Sequence, residues 1–109
     1  LLIATGAAVM TTVDREKRDA AIRKAIEETL APARIREVIV REDVDHDGDP
    51  IYRITIILAS ENENTKTKKA LNLWDAVMKA AQQFDDEWRF PIFTFMTPSE
   101  AEEVGDAAA

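Results

Sequence analysis

The sequence predicts an α+β domain, two helices packed on one face of a three-stranded sheet, and three observations predict it. Apolar residues recur at helical spacing in two stretches, residues 14–31 and 66–83. Two β-branched runs, Ile35 to Val44 and Ile51 to Ala59, flank an Asp-Gly turn. A third apolar run, Phe90 to Met96, ends before Pro98. The element order is therefore helix, strand, strand, helix, strand.

The first helix is read from Ile22, Ala25, Ile26, Thr29 and Leu30, with Arg15, Lys17, Arg23, Lys24 and Glu27 mostly on the other side. Thr12 or Asp14 can cap its start, and Pro32 ends it by withholding a donor and restricting the residue before it. In the second strand Tyr52, Ile54, Ile56 and Leu58 alternate with Ile51, Arg53, Thr55 and Ile57. In the first, Val38, Val40 and Val44 oppose Ile35, Ile39 and Arg41. The second helix carries a stripe of Ala70, Leu71, Trp74, Val77, Met78, Ala81 and Phe84.

A tight hairpin followed by a helical crossover leads to the expectation that the third strand runs parallel to the second and lies beside the first. That gives strand order 2-1-3, the split β-α-β half of a ferredoxin-like fold. A KH-like α+β arrangement is the alternative. A KH domain grips nucleic acid with a Gly-x-x-Gly loop, and the glycines here are Gly6, Gly48 and Gly105.

At 109 residues the chain fits one domain with a sizeable core. The expected divisions are residues 1–11, a leader or upstream extension that could add a strand, a single domain over 12–98, and an acidic tail over 99–109. A hydrophobic share of 46% and a charged share of 32% are those of a soluble globular chain, with no apolar run long enough to span a bilayer. The absence of cysteine excludes disulfides, thiolate metal sites and cysteine nucleophiles, and fits a cytoplasmic protein. The net charge of -7 gathers in the central turn and in the C-terminal quarter. Such a surface repels phosphate backbones, so the expected partner is a protein, not nucleic acid or a membrane.

The sharpest local pattern is Asp43-Val44-Asp45-His46-Asp47-Gly48-Asp49. It matches the first half of a calcium-binding EF-hand loop, which makes Asp43, Asp45, Asp47 and Asp49 candidate metal ligands. Counting from Asp43, however, position 12 is Ile54, which cannot supply the bidentate carboxylate, and the flanks read as strands. Aspartates also crowd hairpin tips because they tolerate turn geometry and water. His46, the one histidine, shares this turn and reads as solvated. With no phosphate loop, zinc signature or nucleophile motif, the chain points to no enzyme and no cofactor.

Lys66, Lys68 and Lys69 open the second helix, where free amide donors could join them in holding an anion or an acidic partner. Two helices cover only one face of a sheet, so the other face carries surplus apolar residues. Ile39, Ile57, Phe93 and Phe95 are the expected partner interface, with Glu100, Glu102 and Glu103 as electrostatic guides. The function expected is that of a small acidic protein-interaction domain, a homodimer or the acidic partner of a basic protein, in the adaptor or antitoxin-like class. The alternative is a cation-responsive module built on the aspartate-rich hairpin.

Overall fold

The computed structural model describes residues 11–63, 70–84 and 88–108. The proposed leader (but for Thr11) and Lys66, Lys68 and Lys69 therefore lie outside the described residues. The chain runs α1 (Thr12–Leu30), β1 (Ile35–Val44), β2 (Pro50–Leu58), α2 (Ala70–Gln82), β3 (Phe90–Met96) and α3 (Pro98–Ala108).

α1 begins one turn of chemistry earlier than its apolar stripe suggests. Thr11 is the N-cap: its Oγ1 accepts from the Asp14 amide at 3.0 Å, and Asp14 accepts in return from the Thr11 amide at 3.3 Å. Arg18, Ile22, Ile26 and Leu30 then repeat every four residues along the buried stripe. The helix stops at Ala31, whose extended backbone (φ -51°, ψ 141°) is the conformation a following proline favours.

The strand order corrects the expected 2-1-3 arrangement. β2 is central, in the order β1-β2-β3, antiparallel to β1 and parallel to β3. The segment β2-α2-β3 is thus a contiguous β-α-β unit and not the split, ferredoxin-like form. The physical reason is the composition of the strands. Ile51, Tyr52, Ile54, Ile56, Ile57 and Leu58 are all buried, so β2 is apolar on both faces, the pattern of an interior strand, and it carries one charged residue, Arg53. β1 carries Arg36, Glu37, Arg41, Glu42 and Asp43, and β3 carries Pro91, which withholds a ladder donor. Charge and proline both belong at sheet edges.

The core lies between the helices and one face of the sheet. Ile22, Ile26 and Leu30 of α1 meet Tyr52, Ile54, Ile56 and Leu58 of β2, and Leu73, Val77, Ala80 and Ala81 of α2 close the cluster. Val38 and Val40 join it because they pair with Ile56 and Ile54. A register shift between Ile35 and Glu37 turns Ile35 towards the helices as well, where it packs against the core.

The other face is fixed by the same registers. Asp43, Ile51 and Phe90 form one row across the three strands, Arg41, Arg53 and Ile92 the next, and Ile39, Thr55 and Thr94 the third. α3 packs against β2 and β3. Its start is a second capping box, in which Thr97 and Glu100 exchange hydrogen bonds of 3.0 and 3.3 Å around Pro98. Ser99 donates to Glu61, tying the helix to the loop after β2.

This packing separates two isoleucines of similar chemistry. Ile54 is 1% exposed and Ile92 is 38% exposed. Ile54→Ala is expected to cost about 2–5 kcal/mol, and Ile92→Ala within about 0.5 kcal/mol of nothing. Urea unfolding of the two variants measures the difference.

Candidate functional site

The hairpin tip is held by its own aspartate. Asp45 Oδ1 accepts from the amides of Asp47 and Asp49, each at 2.9 Å, while the Asp45 backbone exchanges bonds with Asp49 and Gly48. Gly48 takes φ +86°, the left-handed conformation in which a side chain is strained.

The four candidate metal ligands do not act together. Carboxylate oxygens of Asp45, Asp47 and Asp49 lie within 4.8 Å of one another. Asp43 points elsewhere: Arg53 Nε donates to it at 2.6 Å and the Val44 amide at 2.8 Å, and the Arg53 bond holds its carboxyl below the usual carboxylate range. His46 is exposed, 3.5 Å from Asp47.

The expected interface residues are likewise divided. Phe93 pairs with Ile54 and packs against the helix-side core, and Phe95 pairs with Ile56 on that same side. Ile39 and Ile57 are on the open face, Ile39 half-buried and Ile57 buried. The reason is that Phe90 to Met96 is apolar at every position, so its alternation selects no face, and the register with β2 makes the choice. Among the tail acids, Glu100 caps α3, and Glu102 and Glu103 are exposed.

What the open face does gather lies at the hairpin end. Asp45, Asp49, Pro50, Ile51, Trp88, Phe90 and Ile92 line a groove of about 460 Å³. Trp88 is 53% exposed and Phe90 46%, and their rings lie 6.1 Å apart, tilted. Phe90 also meets Trp74 of α2 at 6.1 Å, so the groove wall is braced from behind by the core helix.

Between Trp88 and Phe90, Arg89 turns the other way and anchors the wall. Its Nη1 donates to the carbonyls of Asp43 and Ile51 at 3.1 and 3.3 Å, and its Nη2 reaches Glu42 at 3.4 Å. Glu42 is the hub of a network absent from the sequence reading. Arg18, only 2% exposed, donates to it at 2.7 Å, and Arg15 lies 3.3 Å away. Arg18 and Arg89 also sit over the Tyr52 ring, at 5.2 and 5.8 Å from its centroid. A buried arginine is tolerable only with its charge answered. The signal available in sequence was Arg18 itself, which falls in the i, i+4 row with Ile22, Ile26 and Leu30.

The bond from Arg18, followed by the charges of Arg18, Arg89 and Arg15, holds the Glu42 carboxyl below its ordinary range despite partial burial. No protein family, curated protein or solved structure compared with this chain matches it.

Because Glu42 titrates lower in the folded than in the unfolded chain, its ionised form stabilises the fold above the ordinary glutamate range, and this is lost as pH falls through its lowered value. Glu42→Gln is expected to be less stable by about 1–3 kcal/mol at pH 7, with the gap closing in acid. Thermal unfolding from neutral pH to about pH 3 reads this. A gap unchanged in acid would contradict the role given to the charge.

Proposed function

We propose that this chain is a small protein-interaction domain that docks a basic protein on the open face of its sheet. The observation that carries the reading is the groove at the hairpin end, where exposed Trp88, Phe90 and Ile92 adjoin Asp45 and Asp49. Exposed aromatic rings beside a carboxylate rim are the composition of a docking site with electrostatic selection. A net charge of -7 favours a cationic partner over the whole surface. It disfavours a two-fold contact centred on the groove, which would set one acidic rim against its copy. A cytoplasmic setting suits the cysteine-free composition, and no helix among the described residues is long and apolar enough to cross a membrane.

A second reading rests on the hairpin carboxylates. Asp45, Asp47 and Asp49 could hold a divalent cation, since their oxygens converge within 4.8 Å. A thermal midpoint raised by millimolar calcium, and no longer raised in Asp47→Asn, would support it. An unmoved midpoint would leave Asp45 as a turn former only.

The docking reading is tested by titrating the protein with decalysine and mapping backbone amide shifts by NMR. Shifts are expected over residues 45–51 and 88–94, fading as salt rises from about 50 to about 200 mM. Shifts confined to the α3 acids, or none at all, would contradict the placement of the docking face.

A further inference from the structure

The groove differs along its length in charge, and that difference specifies what it can seat. Asp49 makes no ion pair among the described residues, and Asp45 stands beside it with Oδ1 taken up by the turn amides. The next row of the open face bears Arg41 and Arg53, with Arg53 drawn onto Asp43 at 2.6 Å. A cation is therefore welcome at the hairpin end and repelled one row further along. Trp88 and Phe90 supply two tilted ring faces next to the carboxylates, and Pro50, Ile51 and Ile92 supply an apolar floor.

We propose that the groove seats an arginine side chain carried by an apolar stretch of the partner protein. This rests on the docking reading above and names the chemistry recognised. A guanidinium is planar, stacks on aromatic faces and binds carboxylate with two parallel hydrogen bonds, whereas an ammonium is a compact, strongly hydrated charge. The arginine head meets Asp49, its stem and plane lie against Trp88 and Phe90, and an apolar neighbour in the peptide covers Ile92. At about 460 Å³ the groove has room for more than one side chain, which favours a peptide segment over an isolated cation.

The probe is a synthetic pentapeptide, acetylated and amidated, of sequence Gly-Ile-Arg-Leu-Gly, with a counterpart in which glutamine replaces the arginine. The protein is the unsubstituted full chain, and the reporter is the assigned indole Nε1–H signal of Trp88 in NMR spectra, distinct from that of Trp74. The arginine peptide is expected to shift the Trp88 indole signal and to bind at least about tenfold more tightly than the glutamine peptide, with the advantage lost in Asp49→Asn. Asp49 is chosen over Asp45 because its side chain does not build the turn; an unchanged circular dichroism spectrum and unfolding midpoint confirm that the variant folds. Equal binding of the two peptides, or an arginine preference that survives Asp49→Asn, would overturn the assignment while leaving a docking face in place. No binding of either peptide would also overturn it, and the decalysine map then decides separately whether the docking reading stands.

Discussion

The structure depends first on a strand that must be covered on both faces. β2 places Tyr52, Ile54, Ile56 and Leu58 towards the helices and Ile51 and Ile57 on the opposite side, all of them buried. Burying a side chain of this size is worth roughly 1.5–3 kcal/mol, so leaving either set in water would cost more than a small domain can spare. Pairing β1 and β3 to its two edges protects the backbone, and packing α1 and α2 over one face protects half the side chains. The opposite face is closed less completely, and it is there that aromatic surface remains exposed.

A second constraint ties that exposed surface to the interior. Arg18 comes from the middle of α1, Glu42 from β1, Tyr52 from β2 and Arg89 from the approach to β3, and all four meet at one point. Because Arg89 is fixed by Glu42 and by two backbone carbonyls, its neighbours Trp88 and Phe90 are held to the hairpin end of the sheet. The network joins the packing of the helix to the position of the groove wall. Three arginines share one glutamate, so loss of that carboxylate removes the anion that joins them, while Arg18 keeps its pair with Asp19 at 3.0 Å.

The elements were legible in the sequence because each has a strong local signal: apolar spacing in α1 and α2, β-branched runs in β1 and β2, and an Asp-Gly turn. The strand order was legible too, in the composition of the edge strands and not in the crossover geometry. A crossover rule permits either edge for β3, whereas the charges of β1 and the proline of β3 mark both as edge strands. α3 carried a plain signal in Thr97-Pro98-Ser99-Glu100, a capping box with proline at its first turn. The groove was not legible in this way. It joins residues 45–51 to residues 88–92, and no pattern within either segment states that they meet. The facing of Phe93 and Phe95 was hidden for a related reason, since a strand apolar at every position takes its orientation from its partner.

Amide hydrogen exchange along the three strands tests the central position of β2 most directly. With a neighbour on each edge, consecutive β2 amides from Tyr52 to Ile56 are all bonded and are expected to exchange slowly as an unbroken run, while slow and fast amides alternate in β1 and β3. An unbroken slow run in β1, with alternation in β2, would place β1 at the centre and contradict the account.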